Sequence, residues 1–446
     1  MDVESKVLER IRPSAEEEAR LAEVVRSLRS KVESTLAARG WDAKPILVGS
    51  VAKGTHLTGT EVDMFVAFPP DLPREDLETR GLALGKLLER GVHMYAEHPY
   101  TRGWFGGFEV EIVPCYRILD SSQRMSAVDR TPFHADYVIG RLQEGQANQV
   151  RLLKAWTEGI GVYGAEAKVR GFSGYLCELL VLKFGTFRDV LAASLGWKRG
   201  EAIELDRPAA KPFADPLVVI DPIDGNRNVA SAVSIDQLAG FVHAAREYLR
   251  APSERYFFPR ALKAMAVTKV RALAKRRGTD LILVSIRAPP VTEDVMYPQL
   301  RKAHLALREL LDRAGFQVHE SSFDVAGREA IVLFELASAT LPRVVRHGGP
   351  PVWVKNAKDF LGKWSENPRT LAGPFIVEDR WVVDVVRDET DAAEFVRASR
   401  KDLSLGKDLD RSARTTLKVY EGATAVAAKY AMAWTRLFDK TFPWQR

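Results

Sequence analysis

The chain has 446 residues, more than one hydrophobic core usually organises, so two to four domains are expected. With 46% hydrophobic and 28% charged residues it is not a disordered chain, and 65 Lys+Arg against 59 Asp+Glu give a net charge of +6, too mild to assign a nucleic-acid partner alone. Only Cys115 and Cys177 are present, each inside an apolar stretch, which excludes a disulfide framework and suits a reducing compartment.

Residues 1–14 are charged throughout and hold no signal-peptide apolar core, and no apolar run approaches the roughly 18 residues of a membrane span, so no membrane and a cytoplasmic location are expected. Pro13-Ser14-Ala15-Glu16-Glu17 resembles a capping box, and Leu21, Val24, Val25, Leu28, Val32 and Leu36 recur at helical spacing up to a stop at Gly40. One amphipathic helix is therefore expected before a first strand over 45–48. A Gly-Ser turn, a short helix, a strand over 62–68, a helix over 75–88 and a strand over 108–113 follow, describing a small α/β unit. From 148 to about 249 strands become scarce and helical patterns dominate. A basic helix ending at Gly278, a strand over 281–286 closed by Pro289-Pro290, a helix over 297–314, and strands over 330–336 and 381–386 suggest helices on small antiparallel sheets. Basic residues cluster at Lys154, Lys168 and Arg170, and again at Lys263, Lys269, Arg271, Lys275, Arg276 and Arg277, as either an RNA-tracking surface or solvated helix faces.

Glu61-Val62-Asp63 opens an apolar strand, and residues two apart on a strand project from one face, where two carboxylates can hold a divalent cation. Phe108-Glu109-Val110-Glu111-Ile112-Val113 offers a third carboxylate, because Phe108, Val110 and Ile112 share one face and Glu109 and Glu111 the other. Phosphoryl transfer uses such a set to stabilise charge on attacking and leaving oxygens. Eleven residues before Glu61, Ser50 sits in Gly49-Ser50-Val51-Ala52-Lys53-Gly54-Thr55, a turn whose amides can bind phosphate. A Gly-Ser pair followed about a dozen residues later by Glu-x-Asp is the signature of polymerase-β-like nucleotidyltransferases.

Further stretches narrow the likeness: Tyr95-Ala96-Glu97-His98-Pro99-Tyr100, Val113-Pro114-Cys115-Tyr116, Ser126 to His134, Tyr163-Gly164-Ala165-Glu166, Val169 to Leu179, Asp221-Pro222 with Arg227-Asn228-Val229-Ala230, Phe241-Val242-His243 and Tyr297-Pro298-Gln299-Leu300. On these the chain resembles the archaeal-type (class I) CCA-adding enzymes, tRNA nucleotidyltransferases, over nearly its whole length and most strongly over 47–180. The resemblance implies an α+β multidomain fold: a polymerase-β-like nucleotidyltransferase head (1–145), a helical neck (146–258), and small α/β body (259–296 and 376–446) and tail (297–375) domains, the tail inserted in the body. It also implies that Glu61, Asp63 and Glu111 are catalytic and hold Mg2+, and that Ser50 and Lys53 contact the triphosphate. Thr131 and His134 would contact the nucleotide or its phosphates, Lys154 and Tyr163 would reach the triphosphate from the neck, and Arg227 would face the incoming base. The implied partners are the acceptor end of tRNA, CTP and ATP, with a homodimer among the assemblies open to the chain. Two positions depart from the family pattern: Lys53 where Arg is usual, and Glu111 where Asp is usual.

Rival readings are another enzyme of the same superfamily, such as a poly(A) polymerase or oligoadenylate synthase, and a tRNA-binding protein with a dead transferase head. The intact Glu61 and Asp63 argue against the second. No His-Glu-x-x-His or Cys-x-x-Cys spacing exists, so zinc is not expected. Asp221-Pro222-Ile223-Asp224-Gly225 resembles the metal loop of inositol-monophosphatase-like enzymes, but that family's other acidic segment is missing. Phe172, Tyr175 and Phe184 can stack bases or fill the core.

Overall fold

The computed structural model describes residues 2–95, 98–120, 123 and 125–446. Ala96 and Glu97 of the Tyr95–Tyr100 stretch therefore lie outside the described residues. The chain divides into two compact units, 1–261 with 442–446, and 262–441.

In the first unit two helices, not one, precede the first strand. Helix α1 (Val3–Ile11) is capped by Asp2, and α2 (Ala15–Ala38) by Ser14, each side chain accepting a backbone N–H three residues on. The short α1 is mostly charged, but Val7 and Ile11, one turn apart, are buried against the helical core further along the chain. There follow β1 (Lys44–Val48), α3 (Gly49–Ala52), β2 (Val62–Phe68), α4 (Arg74–Gly85), β3 (Glu89–Tyr95), β4 (Pro99–Phe105) and β5 (Phe108–Tyr116). These strands form one sheet in the order β1-β2-β5-β4-β3, in which only the β2–β5 pair is parallel. Alternation divides its faces. Val62, Met64, Val66, Phe68, Val110 and Ile112 pack with the buried stripe Leu21, Val24, Leu28, Val32 and Leu36 of α2 and with Leu77 and Leu84 of α4. Phe65, Ala67, Val113 and Cys115 turn to the other face, where Val128 covers them.

The unit continues through α5 (Thr131–Ile139), α6 (Gln146–Gly159), α7 (Gly174–Phe184), α8 (Phe187–Ser194), β6 (Glu201–Ile203), β7 (Leu217–Asp221), β8 (Asp224–Asn228) and α9 (Ile235–Arg250). The last three strands form a small sheet that the helical reading of this region did not anticipate. Trp156, Phe172, Phe187, Phe241 and Tyr248 fill the core between the helices, Phe172 stacked on Phe241 at 4.5 Å. Phe172 is thus a core residue, not a base platform.

The second unit holds α10 (Val267–Arg277), β9 (Asp280–Arg287), α11 (Glu293–Ala314), β10 (Val318–Ala326), β11 (Glu329–Leu336), β12 (Val344–Pro351), α12 (Ala357–Trp364), β13 (Thr370–Val377), β14 (Arg380–Val386), α13 (Ala392–Ala398), α14 (Lys407–Thr416), β15 (Lys418–Glu421), α15 (Gly422–Ala425) and α16 (Ala431–Phe438). One antiparallel sheet runs β10-β11-β9-β15, with α11, α13 and α14 on one face and α10 and α16 on the other. A second runs β12-β14-β13, against which Phe360 and Trp364 of α12 pack. The sequence reading separated 297–336 from 281–286, yet β10 and β11 share a sheet with β9, paired from Glu329–Arg287 to Leu336–Asp280. Both strands are buried along nearly their whole length, as central strands of a sheet covered on both faces are, and within the second unit 344–386 forms a separate sheet.

Candidate active site

The two-residue alternation of β2 and β5 sends Asp63 and Glu111 to the same face, and the parallel register sets them directly side by side. Val48, Gly49, Asp63, Phe65, Tyr100, Glu111, Val113, Val128 and Thr131 line a cavity of about 230 Å³ there. Gly49 is required twice over: its φ of +70° is left-handed, and a Cβ would sit 1.8 Å from an Asp63 carboxylate oxygen. Burial, then Glu111 and Glu61, push the Asp63 carboxyl up to about 7. Glu61, immediately before the strand, is also raised, first by burial and then by Glu111. Glu111 itself is drawn to Arg102, its cross-strand neighbour on β4, whose Nε donates to Oε1 at 2.7 Å. The structure therefore brings Asp63, Glu111 and Thr131 to one cavity with Glu61 at its edge, but the three acids do not close into a ligand cluster among the described residues. Glu111 is instead paired with Arg102.

A second group surrounds Glu178, a fully buried carboxylate on α7. Its oxygens accept from Lys53 Nζ at 2.5 Å, Thr55 Oγ1 at 2.6 Å and Lys154 Nζ at 2.9 Å. Burial alone would raise its carboxyl; Lys154 and Lys53 outweigh that and hold it low. Tyr163 belongs here too, since a Cβ on Gly174 would meet its hydroxyl at 3.0 Å and Lys154 Cε at 3.4 Å. Burial raises the Tyr163 hydroxyl, which is a neutral donor. Ser50, in the turn before Lys53, lies 3.4 Å from Thr60 Oγ1.

The third group centres on Asp221 at the end of β7. One of its oxygens is shared by His134 Nε2 at 2.9 Å and Arg227 Nη1 at 2.8 Å. The Tyr175 ring lies 4.2 Å from that of His134 and also has Lys53 Nζ at 5.7 Å, so it joins the second group to the third.

Three stretches match models of known families: a nucleotidyltransferase domain over 23–134, the second domain of tRNA nucleotidyltransferase over 148–258, and the C-terminal domain of the CCA-adding enzyme over 277–422. The chain is 39% identical over 441 residues to the CCA-adding enzyme of Methanoregula boonei, covering 97% of this chain and 94% of that one. The chain belongs to the CCA-adding enzyme family. It is also 40% identical to the CCA-adding enzymes of Thermoplasma acidophilum, over 91% of each chain, and of Haloarcula marismortui, over 96% of this chain and 95% of that one.

Nucleotidyltransferases of this superfamily use divalent metal ions. The donor set here fits one: hard carboxylate oxygens gather at a cavity, the buried one raised first by burial and then by its neighbours Glu111 and Glu61. Sequence reasoning gave no site role to Glu178 or Arg102, named Asp221 only as part of motifs, and weighed Tyr175 only as a base platform or core residue. A signal existed for Glu178 and Asp221, since Glu178 interrupts the apolar run of α7 and Asp221 ends four buried aliphatic residues.

Proposed function

We propose that this enzyme adds C, C and A in turn to the 3′ end of tRNA from CTP and ATP, with release of pyrophosphate and without a nucleic-acid template. The observation that carries the reaction type is the in-register pair of Asp63 and Glu111 at one cavity. Similarity over nearly the full chain to CCA-adding enzymes supports the acceptor and the two nucleotides. The oxygen of the tRNA 3′-hydroxyl bonds to the α-phosphorus in line as its proton is lost to solvent, and the bond to the leaving oxygen breaks with its electrons passing to pyrophosphate. Magnesium, when bound, supplies Lewis acidity toward both oxygens. Glu61, Asp63 and Glu111 would hold it.

Ser50 and Lys53 then contact the triphosphate from the turn after β1, and Lys154 and Tyr163 from α6 and its following loop. Glu178 balances one of the two ammonium charges and leaves the other to meet phosphate. Thr131 and His134 contact the nucleotide or its phosphates. Arg227 faces the base: C and A each present a bare ring nitrogen where U and G carry N–H, so a guanidinium donor suits the first pair and opposes the second.

The test is tRNA trimmed of its last three residues, incubated with each labelled nucleotide separately, in magnesium or EDTA. CTP alone should extend it by C, ATP should be used only after two C residues, and EDTA should stop both. Repeated A addition from ATP alone would overturn the reading in favour of a poly(A) polymerase.

A further inference from the structure

Asp221 is fully buried, and a lone buried carboxylate is costly unless its oxygens are satisfied. Its side-chain oxygens take two contacts from residues proposed to meet the nucleotide, His134 Nε2 at 2.9 Å and Arg227 Nη1 at 2.8 Å on one oxygen, while the other accepts from Ile223 N of its own hairpin at 3.1 Å and Tyr175 Oη at 3.5 Å. Burial raises its carboxyl, but the His134 hydrogen bond and the Arg227 charge outweigh it, so Asp221 is ionised. His134 is held neutral by burial, despite Asp221. A neutral imidazole has one N–H, and the nitrogen facing an ionised carboxylate is the one that carries it, leaving Nδ1 as the acceptor. Among the described residues Arg227 is held at one nitrogen, and it keeps about a third of its side chain exposed. A guanidinium free to swing could offer donors to the carbonyl edge of U or G as readily as to the ring nitrogen of C or A.

We propose that Asp221 is a positioning residue for nucleotide selection, a buried carboxylate that clamps one end of Arg227 and ties it to His134 so that the guanidinium presents a single face to the incoming base. It rests on the reading of Arg227 as the base-facing residue. The clamp joins two distant parts of the chain, α5 through His134 and the β7–β8 hairpin through Arg227. Arg130, just before α5, makes a parallel link to Asp224 at 3.0 Å, so the hairpin is anchored without Asp221.

The experiment compares Asp221→Asn, Asp221→Glu, Arg227→Ala and Asp221→Asn with Arg227→Ala, reading kcat/KM for each of the four nucleotides on trimmed tRNA. Asn keeps the shape and loses the charge; Glu keeps the charge and moves it, and it serves if Asn does not fold. The expected result is a rise in U or G incorporation relative to C on the order of 10-fold in either Asp221 variant. The double variant should be no less selective than Arg227→Ala alone. Equal loss for all four nucleotides in both Asp221 variants, with Arg227→Ala shifting selection, would make Asp221 structural and overturn the proposal. Equal loss in Arg227→Ala would overturn the base-facing reading and the clamp with it.

Discussion

Around Asp63, the carboxylates of Glu61, Glu109 and Glu111 gather on one side of a sheet, and the half-exposed Arg102 is the cation bonded among them. Around Glu178 the proportions are reversed: one buried carboxylate takes two ammonium groups and a hydroxyl. Neither arrangement is the cheapest for an empty protein, because buried charges are stabilised best when paired one to one. The direction of each excess matches what is proposed to arrive: surplus negative charge where metal would bind, surplus positive charge where a triphosphate would bind.

The sharpest way to break this comparison is to remove the acid that has no hydrogen-bond or ion-pair partner among the described residues. Asp63→Asn should slow single-turnover addition of both C and A by on the order of 10³-fold or more, because an amide is a poor replacement for a carboxylate metal ligand, while tRNA binding survives. Retention of A addition with loss of C addition would rule out one shared site. Glu111→Ala should lower the rate by on the order of 100-fold, and Glu111→Asp by on the order of 10-fold, with the deficit shrinking as magnesium is raised. The shorter side chain would withdraw by about 1.5 Å from the Arg102 clasp. Higher activity in Glu111→Asp than in the parent would instead mark Glu111 as a degraded ligand.

On the positive side of the comparison, Lys154→Met leaves Glu178 paired with Lys53 and removes the surplus charge. The KM for CTP and ATP should rise about 10- to 100-fold, the loss of one charged hydrogen bond to phosphate, with the KM for tRNA unchanged. An unchanged nucleotide KM would reduce the lysines to a pin between α7 and the turn after β1. The smallest effect belongs to the second unit, where Lys269, Arg271 and Arg276 are exposed on α10. Neutralising all three should flatten the salt dependence of tRNA binding by up to about one log unit per lost phosphate contact. An identical slope would assign them to solvent.

What could be read from the sequence depended on whether an element carries its own periodicity. Strand β2 announces itself as an apolar run and β5 by its Phe108–Ile112 alternation, and their acids stand out against those patterns. The β3–β4 hairpin does not: β3 is exposed along nearly its whole length, with Val92 59% exposed, so no apolar face reveals it. Strands β12 and β13 are hidden for a related reason, by Gly348-Gly349-Pro350-Pro351 and by Gly373-Pro374 inside them, whereas β14 between them is legible over 381–386. Glu178 and Asp221 were visible as anomalies, but an acid in an apolar run has no meaning until the fold supplies Lys53, Lys154 or Arg227 as its partner. Arg102 required the register of β4 on β5, which depends on a hairpin the sequence conceals.

The parallel pairing of β2 with β5 has a consequence for the order in which the protein becomes competent. Parallel neighbours cannot be joined by a tight turn, and here the chain must lay down α4 and the whole β3–β4 hairpin before Glu111 can arrive beside Asp63. Local helices and the β1–β2 pair can form while the two acids are still far apart, because closing a long loop is the slow event. A refolding experiment should therefore find helical signal returning well ahead of nucleotidyl transfer. A truncated chain ending before β5 carries the signature turn and the Glu-x-Asp pair without Glu111, and should therefore show no nucleotidyl transfer.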